Sequence, residues 1–382
     1  MQRFNGGLSV IVGVLKETAE HERRVALTPE ISTELIKQNL EVWVEKDAGV
    51  ASNFPNTLYQ ESNAKIVANR DDILTGSDII LSIYPPTEDE IKKLKKGAVL
   101  ICMPWALQHP ELVSLFKETE ISVLGMDLIP RISRAQNMDV LSSMSSIAGY
   151  KSALIAANEL DKYLPMMMTA AGTIPPAKSL VLGAGVAGLQ AIATLRRLGA
   201  VVEAFDIRPE VKEQVESLGA KFVEVELGEE ETQTEGGYAK ELDQKKQDLQ
   251  RQVIHEHARK SDIVITTALI PGRPAPLLIT EAMVKDMSPG SVIVDIASEN
   301  GGNCELTQHG KTVEKYGVKI VGPNNLPSQL SLHASKLYSK NMYALLNLLL
   351  DEGKPNFNFE DEILLKTTIT HQGEVISPML KE

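Results

Sequence analysis

The stretch from Ser179 to Asp206, SLVLGAGVAGLQAIATLRRLGAVVEAFD, constrains this chain more than any other part of its sequence. A short apolar run precedes a glycine-rich turn, a segment with helical spacing and a second apolar run. The glycines fit the pattern G-x-G-x-x-G, and an acidic residue ends the second run. The pattern predicts strand, tight turn, helix and strand, the order that builds a parallel α/β sheet.

Each glycine of this turn has a physical reason to be glycine. Gly183 permits the tight turn, Gly185 lets the backbone approach a pyrophosphate, and Gly188 lets the helix pack close to the strand. The helix that starts near Val186 points its N-terminal amides at the phosphates. The carboxylate of Asp206 would accept hydrogen bonds from the adenosine ribose and repel a 2′-phosphate. The turn therefore predicts an NAD(H) site that disfavours NADP, with a plain tight βα turn as the alternative.

Apolar, β-branched runs alternate with helical patterns along almost the whole chain. We predict an α/β protein of two Rossmann-like, doubly wound parallel-sheet domains joined by long helices, with a cleft between them. The N-terminal domain would comprise residues 1–137, completed by the C-terminal segment 328–382. The NAD-binding domain would comprise residues 138–327, with a mobile loop at about 226–242. The strand candidates are Ser9–Leu15, Val42–Glu45, Asp78–Ile83, Ala98–Met103, Ser122–Met126, Ser179–Leu182, Val201–Asp206, Lys221–Val225, Ile263–Thr266, Val292–Ile296 and Lys319–Val321.

Four segments between the strands carry definite expectations. Glu88–Lys96 is predicted to be a charged surface helix, and Met138–Leu164 a long linking helix. Met166–Ala177 is expected to be irregular, its methionines filling a core or, alternatively, forming a soft contact surface. Glu226–Gln250 is acidic and is expected to be a mobile loop, with a solvated linker as the alternative.

One further helix is predicted near the C-terminus, over Ser328–Leu350. Its apolar end is too short to span a membrane. We therefore expect this helix to pack on the first block or on a second copy of the chain.

Composition narrows the functional classes. The net charge of −12 argues against a nucleic-acid surface. No apolar run reaches the roughly 18 residues of a membrane span, and the N-terminal segment lacks a signal or transit pattern, so a cytoplasmic location is expected. Cys102 and Cys304 are expected to be buried thiols. His255 and His257 would point to different faces of a helix, and we predict no metal site.

A second cluster follows a strand candidate and begins as a loop before it enters the long helix. It contains Arg131, Gln136, Asp139 and Ser142. Ligands bind at the carboxyl ends of strands in α/β folds, and a primary carboxamide needs both a donor and an acceptor. Gln136 and Asp139 would supply them, unless the cluster is an N-capped helix with ordinary surface charges.

Two loops follow strand candidates at the same sheet edge as the glycine turn. Ala268, Leu269 and Pro271 belong to the loop that runs along the nicotinamide half of the cofactor in a Rossmann domain, and are candidate cofactor contacts. Residues 300–303, NGGN, follow the fifth strand. Both loops have simple turns as the alternative.

The sequence shows no compelling acid–base group. A dehydrogenase that acts on an alcohol or amine needs a proton acceptor beside the hydride site. Hydride transfer between two nicotinamides needs only alignment of the rings.

Several segments together resemble the alanine dehydrogenase/transhydrogenase family, in particular its NAD(H)-binding transhydrogenase components. They are GVLKETAEHERRVALTPE, RISRAQNMDVLSS, the glycine-turn region 180–222, EGGYAKE, TTALIPGRPAP and VIVDIASENGGNCELT.

The resemblance implies particular roles. Arg131, Gln136 and Asp139, with Ser142 nearby, would hold the nicotinamide. The turn Gly183–Gly188 would hold the pyrophosphate, and Asp206 the adenosine ribose, with Arg208 close by. Gly237 and Tyr238 would lie on a mobile loop that closes over the nucleotide. The resemblance also implies a homodimer.

The chain departs from the alanine dehydrogenase pattern at three positions. Ser82–Thr87 contains no substrate-binding lysine, the expected catalytic histidine is displaced to His109, and the active-site aspartate is Glu299. We therefore expect hydride transfer from NADH directly to NADP⁺ held on a partner component. Proton translocation would belong to a membrane-spanning partner, and this chain would be peripheral on the cytoplasmic face of a bacterial inner membrane. An alanine-type dehydrogenase and a non-catalytic NAD-binding regulatory subunit are the alternatives.

Overall fold

The computed structural model describes residues 9–225, 244–269 and 273–381, with the side chains of 244–246 left out. The strands of the first third are β1 Ile11–Val14, β2 Glu41–Glu45, β3 Lys65–Val67, β4 Ile79–Leu81, β5 Val99–Cys102 and β6 Ser122–Gly125. The helices there are α1 Pro29–Lys37, α2 Asn56–Glu61, α3 Arg70–Gly76, α4 Glu88–Ile91 and α5 Pro110–Glu118, with 3₁₀ turns at Val50–Ser52, Met126–Leu128 and Ser133–Met138.

The middle of the chain continues the alternation of strands and helices. Its strands are β7 Met167–Thr169, β8 Gly172–Ile174, β9 Lys178–Leu182, β10 Val201–Phe205, β11 Lys221–Val223, β12 Ile263–Thr266, β13 Val292–Asp295, β14 Lys311–Lys315 and β15 Val318–Gly322. Its helices are α6 Val140–Glu159, α7 Val186–Arg197, α8 Lys212–Ser217, α9 Gln244–Ala258 and α10 Glu281–Asp286, with 3₁₀ turns at Pro209–Val211 and Ile296–Asn300.

The remaining elements follow a 3₁₀ turn at Leu326–Leu330. They are α11 Ser331–Leu349, β16 Leu350–Asp351, β17 Lys354–Pro355, α12 Glu362–Thr367, β18 Thr368–His371, β19 Glu374–Val375 and a 3₁₀ turn at Pro378–Leu380.

The chain divides into two compact units. The first comprises Met1–Met144 and Ser328–Glu382, and the second comprises Ser145–Pro327. The first division falls inside α6, not at the sequence boundary of 137/138, because the first turn of that helix packs with the N-terminal unit. The second division falls at 327/328, where the sequence analysis placed it.

The first unit is built on an eight-stranded sheet in the order β19-β18-β6-β5-β4-β1-β2-β3. The six N-terminal strands run parallel, and β18 pairs antiparallel with β6. The central strands β4, β5 and β6 are buried along their whole length, as expected when helices cover both faces of a parallel sheet.

The second unit has the strand order β11-β10-β9-β12-β13-β15-β14. Its six parallel strands, counted along the chain, give the order 3-2-1-4-5-6 of a doubly wound sheet, and β14 adds an antiparallel edge. Val181 and Ile265 contribute to the core on one face, whereas Leu182 and Val264 contribute to the core on the other. The strand order reverses between β9 and β12, which is where such sheets bind ligands.

A row of serines on α11 and the turn before it ties the C-terminal helix to the first unit. Residues 328, 335 and 339 lie along one side of this segment and present their hydroxyl oxygens to segment 23–28, which is neither helix nor strand. The hydrogen bonds run from Arg23 N to Ser328 Oγ (2.6 Å), from Val25 N to Ser335 Oγ (3.0 Å) and from Thr28 N to Ser339 Oγ (3.0 Å). The serines therefore satisfy backbone groups that no sheet or helix serves.

Three sequence interpretations of local structure are wrong in extent or kind. The long helix spans Val140–Glu159 instead of Met138–Leu164, since the capping side chain of Asp139 starts it later. The surface helix that begins at Glu88 ends at Ile91. The final part of the acidic insert, from residue 244, is the start of α9 and not a loop.

The segment after α6 is a β-hairpin, β7–β8, and not irregular. Its methionines do not fill a core, because Met166 is 57% and Met168 78% exposed. The predicted loop at 226–242 lies outside the described residues.

Among the residues that the structure describes, no helix combines the length and apolar character that a membrane crossing requires.

Replacing Ser335 tests the serine row. Ser335→Ala removes the acceptor for the Val25 amide and the 2.9 Å contact with the Ser52 hydroxyl. We expect the free energy of unfolding to fall by about 1–3 kcal/mol, the cost of unsatisfied buried polar groups. Urea unfolding measures it, with exposed Lys336→Ala as the control. A loss below about 0.5 kcal/mol would show that the row contributes little.

Candidate functional site

The turn between β9 and α7 leaves no room for side chains at two of its glycines. Gly183 has φ +97°, and a Cβ added to it would lie 2.5 Å from Thr267 Oγ1. A Cβ on Gly188 would lie 1.8 Å from the carbonyl oxygen of Gly183. The first turn of the helix therefore packs directly on the strand end, as the sequence pattern predicts.

The second glycine faces open space instead. Gly185 is the N-cap of α7, no described side chain caps the helix there, and a Cβ on Gly185 would meet no described atom within 4 Å. Val186, the first helical residue, is exposed. The N-terminus of a twelve-residue helix thus presents its amides to an accessible region at the switch point of the sheet.

Asp206 follows β10 and is almost fully engaged by its surroundings. Its carboxylate accepts hydrogen bonds from the Ala184 amide (2.7 Å) and from the Arg208 amide (2.9 Å). The guanidinium of Arg208 also binds both oxygens, at 2.8 and 2.7 Å. The hydrogen bond to Asp206 raises the pKa of Arg208. A ribose hydroxyl at this position would therefore share or replace donors that Asp206 already has.

The loop after β12 is held against the glycine turn. Thr267 Oγ1 lies 3.1 Å from the carbonyl oxygen of Gly183, to which it donates, and the Thr267 amide donates to Leu182 at 2.8 Å. Ala268 is half-buried and Leu269 is exposed. Gly237, Tyr238 and Pro271, the other predicted contacts, lie outside the described residues.

A buried carboxylate that the sequence analysis did not single out organises the loop after β13. Asp295 is fully buried and accepts hydrogen bonds from five donors. They are Thr266 Oγ1 (2.9 Å), Thr307 Oγ1 (2.7 Å) and the amides of Ala297 (3.1 Å), Asn303 (2.8 Å) and Cys304 (3.0 Å). Its place at the end of an apolar strand was the available signal.

The second predicted cluster lies in the first unit and is partly structural. Asp139 caps α6: its Oδ1 accepts from the Ser142 amide at 2.8 Å and its Oδ2 from the Ser142 hydroxyl at 2.6 Å. The N-capped helix that the sequence analysis kept as an alternative is thus present. Arg131 and Gln136 are exposed, and Gln136 lies on a 3₁₀ turn, not on a loop.

This 3₁₀ turn is anchored from two sides. Asn341 Nδ2 of α11 donates to the carbonyl oxygen of Asn137 at 2.8 Å. The guanidinium of Arg134 binds the carboxylate of Asp361, the N-cap of α12, at 2.6 and 3.0 Å. The exposed side chain of Gln136 is therefore carried on a fixed backbone.

A group of charged residues at the carboxyl edge of the first sheet was missed by the sequence analysis. Glu17 accepts hydrogen bonds from the amides of Ile83 (2.6 Å) and Tyr84 (3.4 Å), and Arg24 binds Glu22 through two bonds of 2.8 and 2.6 Å. Burial raises the pKa of the Glu17 carboxyl to about 7. The charged run KETAEHERR resembled a solvated surface, so its burial had no sequence signal.

The residues that raised the dehydrogenase alternative have structural partners. His109 precedes α5 with an exposed ring and pairs with Glu111 at 3.0 Å. Glu299, in the second unit, accepts from the Asn325 amide at 2.9 Å.

The two cysteines are both buried free thiols. In the described part of the chain, no group of three or more His, Cys, Asp or Glu side chains is placed to hold a metal ion.

A doubly wound sheet with this glycine turn defines a Rossmann-type α/β protein. Residues 13–148 match the family model "Alanine dehydrogenase/PNT, N-terminal domain", and residues 152–378 match "Alanine dehydrogenase/PNT, C-terminal domain". The chain belongs to this alanine dehydrogenase/PNT family.

Individual relatives lie on the transhydrogenase side of the family. The chain is 46% identical to the NAD(P) transhydrogenase subunit alpha of Haemophilus influenzae, over 97% of this chain and 72% of that protein. It is 45% identical to the first of the NAD(P) transhydrogenase alpha-subunit polypeptides of Rhodospirillum rubrum, over 97% of this chain and 98% of that protein. The transhydrogenase structure from Sinorhizobium meliloti superposes with a TM-score of 0.84 at 42% identity, covering 96% and 99%. The alanine dehydrogenase of Bacillus subtilis is only 29% identical.

The raised pKa of Glu17 makes a testable contribution to stability. The folded protein holds this proton more tightly than the unfolded chain, so its stabilising contribution is complete below pH 4.5 and is lost as the pH rises through about 7. Glu17→Gln removes the titration. We expect the variant to gain roughly 1–3 kcal/mol relative to the parent chain between pH 5 and pH 8. Urea unfolding across this range measures the gain, with exposed Glu118→Gln as the control; parallel pH profiles would contradict the assignment.

Proposed function

We propose that the chain binds NADH and passes its hydride directly to NADP⁺ held on a separate component, as the NAD(H)-binding part of a proton-translocating transhydrogenase. The observation that carries the proposal is the open face at Gly185, where the uncapped N-terminus of α7 meets the switch point of the sheet. The identity of 45–46% to transhydrogenase alpha subunits supports the same function.

Within the second unit, the proposal assigns each part of the nucleotide to residues of the turn. Gly183, Gly185, Val186 and Gly188 would hold the pyrophosphate through backbone amides. Asp206 would bind the adenosine ribose, with Arg208 adjacent. Ala268 and Leu269 would line the nicotinamide half through their backbone. Gly237, Tyr238 and Pro271 are assigned as further contacts from the family resemblance alone.

Within the first unit, Gln136 and Asp139 would recognise the carboxamide of the nicotinamide, with Arg131 and Ser142 beside them. The carboxamide needs one acceptor and one donor, and an amide with a carboxylate provides both. Ser142 bonds Asp139, so it would orient the carboxylate. Fixed support of the 3₁₀ turn favours this role, because recognition of a small planar group requires a backbone that does not move.

The proposed chemistry transfers a hydride and needs no side-chain base. The C4–H bond of NADH breaks with both electrons, and a new C4–H bond forms on NADP⁺, so the products are NAD⁺ and NADPH. No proton leaves or enters in this step. The protein would then supply alignment and exclusion of water.

The proposal includes partners that this chain does not contain. NADP(H) would bind a second component, and a membrane-spanning component would conduct the proton. The chain would act at the cytoplasmic face of a bacterial inner membrane as a peripheral subunit.

A second copy of the chain is the proposed occupant of the exposed hairpin. Met166, Met168 and Ile174 expose apolar surface on β7–β8 and the residue before it, and Tyr163 is exposed nearby. Apolar side chains concentrated on one hairpin are typical of a subunit contact. Homodimers are also what the family resemblance implies.

The function is tested by mixing the chain with the NADP(H)-binding component of a transhydrogenase and following hydride transfer from NADH to an NADP⁺ analogue. We expect transfer, and no alanine-dependent reduction of NAD⁺ by the chain alone. Gly185→Ala should weaken NADH binding about tenfold or more without lowering the melting temperature, because its Cβ enters space that is otherwise empty. Val201→Thr, at the opposite end of the sheet, is the control.

Two results would contradict the proposal. Alanine-dependent reduction of NAD⁺ without transfer would favour the dehydrogenase, and NADH binding with neither activity would favour a regulatory subunit.

The dimer is tested by sedimentation velocity. Met168→Asp places a charge on the exposed hairpin and should convert the dimer to a monomer with an unchanged melting temperature. Val50→Asp, at an exposed apolar residue of the first unit, should leave the dimer intact. A parent chain that sediments as a monomer would refute the proposed contact.

A further inference from the structure

Asn303 is a fully buried amide whose side chain binds both backbone groups of one loop residue. Its Oδ1 accepts from the Ala268 amide at 3.0 Å, and its Nδ2 donates to the Ala268 carbonyl at 2.9 Å. The second hydrogen of Nδ2 serves the carbonyl of Pro276 at 2.8 Å. The side chain therefore behaves as a short strand paired with the loop after β12.

The backbone of Asn303 is fixed equally well. Its amide donates to Asp295 at 2.8 Å, and its carbonyl accepts from the amides of Leu278 (2.8 Å) and Ile279 (2.9 Å). Every donor of Asn303 is thus used, and both of its oxygens accept. A network with this degree of satisfaction holds its members rigidly.

The residue that Asn303 holds is next to the glycine turn. Ala268 follows Thr267, whose hydroxyl donates to Gly183 at 3.1 Å. The chain of contacts runs from Asp295 through Asn303 to Ala268 and, through Thr267, to the turn at Gly183. No part of this chain of contacts depends on an exposed side chain.

We propose that Asn303 is a positioning residue that sets the Ala268 backbone against the bound dinucleotide. The proposal rests on the proposed NAD(H) binding and adds the group that fixes the loop. The role requires an acceptor and a donor about one carbonyl length apart, which an asparagine amide supplies and a carboxylate does not.

Asn303→Asp keeps the shape of the side chain but turns an oxygen towards the carbonyls of Ala268 and Pro276. We expect the Kd for NADH to rise about tenfold or more at pH 8, with the KM for the NADP⁺ analogue on the partner component unchanged. Lowering the pH should restore part of the NADH affinity, because a protonated carboxyl regains one O–H donor. A residue that only stabilised the fold would not produce this pH-dependent recovery.

Two further variants guard against a loss of folding. Thr266→Val removes a different hydrogen bond to Asp295 and leaves the Asn303 amide intact, so it should lower the melting temperature but not the NADH affinity. Asn303→Ser shortens the side chain without adding charge, and should weaken NADH binding even if the aspartate variant does not fold.

The outcomes separate the two proposals. A parent chain that binds NADH, with Asn303→Ser and any folded Asn303→Asp at the parental Kd, overturns the role of Asn303 alone. A folded parent chain that does not bind NADH overturns the proposed function and this role together.

Discussion

The structure of the second unit depends on one steric constraint, the contact between the start of α7 and the end of β9. A methyl group at Gly188 would lie 1.8 Å from a carbonyl oxygen, so no other residue permits this packing. Because the helix approaches so closely, its amide end is fixed relative to the sheet edge, where β10 and β12 bring Asp206 and Thr267. The candidate site is thus a product of backbone packing and needs few side chains of its own.

The first unit solves the same topological problem with different chemistry. It has a parallel sheet but no glycine turn, and its carboxyl edge is occupied by buried charge, including the Arg24–Glu22 pair and the Glu17 carboxyl. Such groups are stable only when each has a partner. Two similar folds in one chain therefore present a backbone surface at one edge and a self-satisfied ionic cluster at the other.

Sequence reasoning recovered what depends on local pattern and missed what depends on distant partners. Apolar runs located the central strands, and glycine spacing located the turn. The strand β18 was missed because its buried threonines look polar in the sequence. Asp295 and Asn303 lay in a region recognised as a turn, but their roles depend on Thr266 and Ala268, more than thirty positions away in the second case. The exposure of Met168 depended on a hairpin that its apolar composition concealed.

The serine row has a consequence for the order in which the protein forms during synthesis. The amides of Val25 and Thr28 leave the ribosome early, but their acceptors, Ser335 and Ser339, emerge only after the whole second unit has been made. Residues 145–327 are contiguous and can fold as they appear, whereas the first unit waits for its C-terminal helix. The unit that carries the glycine turn is therefore complete before the unit that begins the chain.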